Sequence, residues 1–408
     1  MISRRLLLTR ATLVTPTETL TNASMLIENG KIAALGPDGE VGDGFAADVH
    51  VMDLGGAYVI PGLIDLHTDA LEKEITPRPA ADFPIEVAVQ ELDRKLVGCG
   101  VTTVFHSLHF GYQEGEWSNR SRYSRRDVVE GLHTMSARHT LAHTRLHARY
   151  EIVGHGPHSR PLVETLLGEG LIHLLSFMDH TPGQGQYTRE RFLSQRTREG
   201  MSEEQALAHL AEKQNRPRLT DEELRAVADV ALSRGVPIAS HDDDTPEKVR
   251  RMHDLGVTIC EFPINLGAAE AARSSGMTVL GGASTVLRGG SLTGNLDVLA
   301  AIRAGVVDGL CSDYYPPSML HAVFKLWRER VLSLHAAVAT ATRIPAYAAG
   351  LGENTGSLEP GKAADLVVVR LVGGRPVVVK TFVDGECVHS AGREMVETPE
   401  LVATGDRD

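Results

Sequence analysis

Histidine and carboxylate side chains follow several short apolar runs of this sequence. His67 and Asp69 end the first run, His180 follows the fourth, and His241 follows the fifth. Alternate side chains of an extended strand share a face, so His67 and Asp69 project together. Imidazole and carboxylate groups are the ligands that zinc and related divalent ions take. The pattern therefore predicts metal chemistry at the ends of strands.

The third apolar run carries an acidic side chain that needs a positive partner. His147, Arg149 and Glu151 alternate along this run. Burying a carboxylate without a partner costs several kcal/mol, so Glu151 requires a cation. That cation is either a bridged metal or Arg149, and the residues alone leave both alternatives open.

Asp313, after the eighth run, is the candidate catalytic residue. A carboxylate here can bind one metal ion and accept the proton of an attacking water. The alternative is that Asp313 caps the following helix. His106 and His109, which follow the second run, are candidates for orienting substrate or stabilising developing charge, and the alternative is that they support a neighbouring side chain.

Basic and glycine-rich loops follow the first and seventh runs. Lys73 and Arg78 lie in a proline-containing loop after the first run. After the seventh, glycines would let backbone N–H groups approach phosphate oxygens, at a position where barrels often bind phosphate. The predicted substrate-binding residues there are Arg288, Gly289, Gly290 and Ser291.

The apolar runs alternate with helix-like stretches through the middle of the chain. They span residues 58–64, 101–105, 146–153, 172–178, 237–240, 257–260, 277–280 and 309–312. Eight strands with helical spacers predict an α/β fold, a parallel (β/α)8 barrel whose reactive groups lie at the carboxyl ends of the strands. Residues 181–219 are long and polar, and we expect a partly helical insertion beside the mouth.

Both ends of the chain consist of short strand-like runs around turn dipeptides. Asn29-Gly30 and Asp384-Gly385 favour tight hairpins. Each block alone would leave strand edges unpaired, so we expect them to join. The predicted organisation is a small β-sandwich domain from residues 1–60 and 351–408, with the barrel over 61–350 and its insertion near 181–219.

Charge and composition narrow the class of partner. The 408 residues carry a formal charge of −12, which disfavours nucleic acid and anionic membranes. Arg10 interrupts the first apolar stretch too early for a signal peptide or a membrane span, so we expect a cytoplasmic protein. A small anionic, phosphorylated substrate held by local cations fits best, and a homo-oligomer remains an open alternative.

The strand-end motifs resemble those of the amidohydrolase superfamily. Pro61-Gly-Leu-Ile-Asp-Leu-His67-x-Asp69 and Gly361-Lys-Ala-Ala-Asp365-Leu-Val carry the general likeness. A narrower likeness is to the PhnM diphosphatase family of the carbon–phosphorus lyase pathway. It rests on motifs that include His67-Thr-Asp-x-Leu-Glu-Lys73, Arg149-Tyr-Glu151, Met178-Asp-His180-Thr-Pro-Gly-Gln, Arg288-Gly-Gly-Ser-x-x-Gly-Asn295 and Ser312-Asp313-Tyr. The resemblance implies a metal-bearing barrel with a β-sandwich built from both chain ends.

The same resemblance implies an activity and a set of metal ligands. The expected reaction is hydrolysis of α-D-ribose 1-methylphosphonate 5-triphosphate to the 5-phosphate and pyrophosphate, with one or two divalent ions, zinc before manganese or iron. The implied ligands are His67, Asp69, Glu151, His180, His241 and Asp313. Glu151 is the bridging candidate, and Asp179 and Glu261 are alternative ligands. The alternative activity is hydrolysis of an amide, cyclic imide or amidine C–N bond.

Overall fold

Two eight-stranded β-sheets organise the part of the chain that the structure describes. The structure is a computed structural model, and it describes residues 5–41, 49–78, 80–111, 121–137, 139–154, 156–183, 185, 188–291 and 294–391. The amino-terminal strands are β1 (Arg5–Val14), β2 (Thr19–Glu28), β3 (Lys31–Pro37), β4 (Val49–Asp53) and β5 (Tyr58–Pro61).

Strands and helices alternate through the middle of the chain. The first half comprises β6 (Leu63–Thr68), α1 (Ala70–Ile75), α2 (Ile85–Gly98), β7 (Val101–Phe110), α3 (Arg125–Ser136), β8 (His143–Glu151), α4 (Gly156–Gly168), β9 (Leu174–Met178), α5 (Arg189–Arg198), α6 (Glu203–Gln214) and α7 (Asp221–Ser233). The second half comprises β10 (Ile238–His241), α8 (Pro246–Asp254), β11 (Ile259–Glu261), α9 (Leu266–Ser274), β12 (Thr278–Gly282), α10 (Ala283–Arg288), α11 (Val298–Arg303), β13 (Gly309–Cys311), α12 (Ser318–Arg328), α13 (Leu334–Ala339) and α14 (Arg343–Ala348). The remaining strands are β14 (Leu366–Val372), β15 (Arg375–Val383) and β16 (Glu386–Ser390).

The central strands form a parallel barrel in chain order from β6 to β13. The ring closes where the Asp313 N–H donates to the His67 carbonyl at 2.9 Å and the Asp69 N–H donates to the Asp313 carbonyl at 2.7 Å. The strands read as near-continuous apolar runs because both of their faces are buried, one in the barrel and one under helices. The predicted (β/α)8 barrel is confirmed.

Both chain ends contribute to the second, mixed sheet. Its order is β16-β15-β14-β5-β1-β2-β3, with β4 pairing beside β1, so the predicted union of the two ends is confirmed. The hairpin dipeptides adopt left-handed backbone angles, with φ of 51° at Asn29 and 48° at Asp384. The exact domain limits, 1–60 with 351–408 and 61–350, stay a prediction.

One predicted strand, residues 58–64, divides between the two sheets. Residues up to Pro61 pair with β14 in the mixed sheet, whereas Leu63 onward pairs with β7 in the barrel. Gly62 is the crossing point, and its N–H donates to the Asp365 carbonyl at 2.8 Å. A Cβ atom on Gly62 would lie 2.0 Å from the Thr102 hydroxyl oxygen, so only glycine fits there.

The segment 181–219 contains α5 and α6. Thr188 caps the first of these helices, and Ser202 forms a capping box with Gln205 at the start of the second. None of the helices in the described ranges is long and apolar enough to cross a membrane.

Replacing Gly62 by alanine tests the crossing point. We expect Gly62→Ala to lower the free energy of unfolding by about 2–3 kcal/mol, because the added methyl group must displace buried Thr102. Urea denaturation followed by circular dichroism measures the change. Gly168→Ala is the matched control, since no atom lies within 4 Å of its added carbon. Equal stability of the two variants would contradict the prediction.

Candidate metal centre and active-site cleft

A cleft of about 680 Å³ opens at the carboxyl ends of the barrel strands. Its lining includes these predicted site residues: Asp69, Glu151, His180, His241, Arg288, Ser291 and Asp313. His67 lies fully buried beneath them. Residues that were distant in the sequence therefore meet at one end of the barrel.

The first group of candidate ligands joins the first and eighth strands. Ligand atoms of His67, Asp69 and Asp313 all lie within 4.8 Å of one another. The His67 Nε2 atom is 3.7 Å from the Asp69 Oδ1 atom. The backbone hydrogen bonds that close the barrel hold these three side chains together.

The second group joins the third and fourth strands. His180 donates from Nδ1 to the Glu151 carboxylate at 2.6 Å, and its backbone N–H donates to the other carboxylate oxygen at 3.1 Å. His109 Nε2 lies 3.9 Å from the same carboxylate. Burial raises the pKa of Glu151, but hydrogen bonds from His109 and His180 outweigh burial and lower it to about 2. Glu151 is therefore a carboxylate anion.

His241 links the two groups. Its ring stacks on His67 with centroids 5.2 Å apart and lies edge-on to His180 at 5.8 Å. The neighbouring carboxylate of Asp242 also faces the cleft and forms a third set of close ligand atoms with His180 and His241. The six predicted ligands thus form one continuous cluster, and their assignment as metal ligands stays a prediction.

Glu261, which the resemblance implied only as an alternative ligand, lies at the centre of the cluster. Its Oε2 atom is 3.2 Å from His67 Nδ1, 3.5 Å from His241 Nδ1 and 3.9 Å from His147 Nε2. The side chain is fully buried. Its signal in the sequence is its place as the residue directly after the sixth apolar run, as for the other strand-end groups.

Two buried atoms of this cluster test whether the residues fit a metal ion. His67 Nε2 and Glu261 Oε1 have no hydrogen-bond partner within the described chain. Buried polar atoms are almost always paired, so an unpaired imidazole nitrogen and an unpaired carboxylate oxygen in one buried cluster suit a bound cation. Mixed imidazole and carboxylate donors are also the set that zinc-like ions take. The residues fit a divalent metal.

Arg149 pairs with Asp69 and not with Glu151. Its Nη1 atom donates to the Asp69 carboxylate at 2.6 Å. Although burial raises it, the charge of Arg149 holds the pKa of Asp69 below its usual range. Arg149 as the partner of Glu151, one of the two alternatives predicted from the sequence, is therefore wrong. His109 and His180 contact the Glu151 carboxylate instead.

The predicted phosphate-binding cations meet at a tyrosine on one side of the mouth. Arg288 donates to the Tyr314 hydroxyl at 3.1 Å, and Lys73 Nζ lies 5.6 Å from the centre of the Tyr314 ring. We call Lys73, Arg288 and Tyr314 the Tyr314 wall. Gly289 and Gly290 form the turn after α10, with φ of 82° and 140°, but do not line the cleft.

Three residues considered at the sequence level lie away from the cleft. Arg78 is exposed in its loop, and Asp179 lies 3.8 Å from Arg218. His106 is buried on the outer side of β7, because the strand extends to Phe110 and alternation places His106 with Val104 and Leu108. Burial lowers the pKa of His106 to about 4. His109, three residues later, reaches the cleft in its place.

Comparison with known proteins identifies the family. A model of the amidohydrolase family matches residues 188–388. The α-D-ribose 1-methylphosphonate 5-triphosphate diphosphatase of Escherichia coli is 35% identical over 360 residues, which cover 85% of this chain and 90% of that protein. The chain belongs to the amidohydrolase family.

Other relatives of this amidohydrolase are more distant. The imidazolonepropionase of Geobacillus kaustophilus is 27% identical over 395 residues, covering 85% of this chain and 83% of that protein. The crystal structure of A. niger ochratoxinase superposes with a TM-score of 0.67 at 14% identity, covering 96% of this chain and 97% of that one. The second likeness concerns the fold alone. Family membership makes this protein a hydrolase.

Substitution of Glu261 tests the metal centre of this amidohydrolase. We expect Glu261→Gln to weaken zinc binding 10- to 100-fold, because one buried carboxylate contacts two of the candidate histidine ligands. Isothermal titration of zinc into chelator-treated protein measures the affinity, and thermal unfolding with and without zinc verifies it. Asp179→Asn is the matched control outside the cleft. Unchanged zinc affinity of Glu261→Gln would remove Glu261 from the centre.

Proposed function

We propose that this amidohydrolase hydrolyses α-D-ribose 1-methylphosphonate 5-triphosphate to the 5-phosphate and pyrophosphate. The main support for this proposal is the 35% sequence identity, over 85% of this chain, to the E. coli protein that is named for this activity. The Tyr314 wall supports the proposal, because Arg288 and Tyr314 line the cleft and Lys73 lies over the Tyr314 ring. A cytoplasmic location and a homo-oligomeric state stay predictions.

The candidate ligands divide into two neighbouring sets. His67, Asp69 and Asp313 would hold one divalent ion, and Glu151 and His180 would hold a second, with His241 between them. We propose zinc, with manganese or iron as alternatives. A bound divalent ion supplies Lewis-acid stabilisation and lowers the pKa of water.

Asp313 is the proposed proton acceptor. Its backbone has a left-handed φ of 63° and hydrogen-bonds the end of β6 on both sides, so the carboxylate is fixed at the edge of the cleft. Burial raises the pKa of Asp313, which strengthens it as a base for the proton of an attacking water. The water oxygen forms a bond to phosphorus as the anhydride bond to pyrophosphate breaks.

The Tyr314 wall is proposed to hold the pyrophosphate end. Negative charge grows on the leaving oxygens as the anhydride opens, and positioned cations offset it. Tyr314 orients Arg288 through its hydroxyl group and lies beneath the Lys73 ammonium. Ser291, three residues after Arg288, also lines the cleft and supplies a hydroxyl donor.

Hydrolysis of a C–N bond is the second candidate. The observation that favours it is the 27% identity to a protein named imidazolonepropionase over 85% of this chain. The same ligand cluster would serve an amide, cyclic imide or amidine, and the Tyr314 wall would then have no phosphate to bind.

Replacing Asp313 by asparagine tests the proposed function. With the 5-triphosphate substrate and zinc, we expect wild-type protein to release pyrophosphate and Asp313→Asn to lower kcat about 10²- to 10⁴-fold, because the base is lost. Phosphorus NMR of the products measures the rate and shows which bond breaks. Asp179→Asn is the control, with circular dichroism to verify folding. A near-normal rate would exclude Asp313 as the base, and turnover of amide substrates alone would favour the second candidate.

A further inference from the structure

Two cationic groups lie on opposite sides of the cleft mouth. One is the Tyr314 wall, whose Arg288 follows β12. The other comprises Lys213 and Arg216, which line the cleft from the insertion, and we call it the insertion wall. Arg216 packs beside Gly154, after β8. In the strand order of the closed barrel, β8 and β12 stand four positions apart, so the two walls face each other.

The insertion wall is held in place by backbone pairing. The Gly154 N–H donates to the Pro217 carbonyl at 2.7 Å, and the Leu219 N–H donates to the Ile152 carbonyl at 3.0 Å. The Gln214 side chain donates to the Pro182 carbonyl at 2.9 Å. These bonds tie the end of α6 to the chain that leaves the strand of Glu151. The cations are therefore fixed relative to the candidate ligands.

Arg216 lies directly against the backbone that follows Glu151. Gly154 has a φ of +75°, and a Cβ atom there would lie 3.4 Å from Arg216 Cδ and 3.6 Å from its Nη1. The Glu212 carboxylate, 3.1 Å from Arg216 Nη2, orients the guanidinium group. The positive φ thus favours glycine at residue 154, where the chain passes beside the Arg216 side chain.

On this side of the cleft, the two cations of the insertion wall favour an anionic ligand group. Glu151 and Asp242 line the neighbouring surface and repel anions. Lys213, in the last turn of α6, and Arg216, two residues beyond its end, add two positive charges on this side. A guanidinium and an ammonium together suit a phosphate or phosphonate group.

We infer that Lys213 and Arg216 form a second anion subsite, which binds the charged group at the end of the substrate remote from the scissile anhydride. This inference rests on the proposed function, in which the Tyr314 wall holds the pyrophosphate end. On the proposed substrate the remote group is the methylphosphonate at C1 of ribose. Residues 181–219 then select substrates that are anionic at both ends.

Product binding tests the subsite without any turnover. Isothermal titration compares two ligands, α-D-ribose 1-methylphosphonate 5-phosphate and ribose 5-phosphate, on the zinc-loaded protein. We expect wild-type protein to bind the first at least about tenfold more tightly, and the double variant Lys213→Ala/Arg216→Ala to bind both within about twofold, since only the first carries the remote anion. The control Arg189→Ala/Arg198→Ala changes two arginines of α5 outside the cleft and keeps the wild-type preference.

Kinetics separates failure of the subsite from failure of the proposed function. For the double variant we expect KM for the phosphonate-bearing triphosphate to rise at least tenfold, with kcat and the KM for ribose 5-triphosphate within about threefold of wild type. Exchange of the two side chains, Lys213→Arg/Arg216→Lys, restores most of the affinity. Equal binding of the two ligands by wild type, or equal losses for both in the variant, overturns the subsite. Absence of pyrophosphate release by wild type overturns the proposed function and leaves the binding test valid.

Discussion

The site depends on the pair of backbone hydrogen bonds that closes the barrel. Asp313 bonds to both sides of the turn at the end of β6, and those bonds join the first strand to the eighth. The residues that close the ring are also the ones that carry the chemistry, because His67, Asp69 and Asp313 lie at or beside the junction. Their mutual geometry is therefore set by the sheet, which is more rigid than a loop.

Strand ends made much of this arrangement predictable from the sequence. A polar residue directly after an apolar run lies at the carboxyl end of a strand in a parallel barrel. His180, His241 and Asp313 are therefore expected in one cluster, and all three line the cleft. The prediction that His106 reaches the cleft is wrong, because β7 extends to Phe110 and alternation turns His106 to the outer side of the barrel. The apolar run at residues 58–64 forms two strands that separate at Gly62, one in each sheet. The spacing of apolar residues does not indicate which sheet a residue joins.

The insertion wall shows a different limit. Lys213 lies in the last turn of α6 and Arg216 follows the end of that helix, and the sequence around them looks like ordinary solvated charge. Their approach to the cleft depends on pairing between residues 152–154 and 217–219, a contact distant along the chain. Glu261 was visible as a strand-end carboxylate, but its contact with three histidines depends on the curvature of the whole ring. Strands and their ends thus position the acidic cluster, and the helices and loops between strands carry the cations. This division lets substrate choice vary while the metal chemistry is kept.

The mixed sheet from both chain ends has a consequence for how this protein is made. Pro61 in β5 pairs with Leu366 in β14, so one edge of β5 has no neighbour until the barrel segment and residue 366 have been synthesised. Throughout synthesis of the barrel, β5 presents an open edge of the kind that pairs with other chains. A nascent chain that stops before residue 366 leaves that edge of β5 exposed, and chaperones and proteases can recognise it. That edge of β5 is therefore concealed only after the barrel strands β6 to β13 have been synthesised.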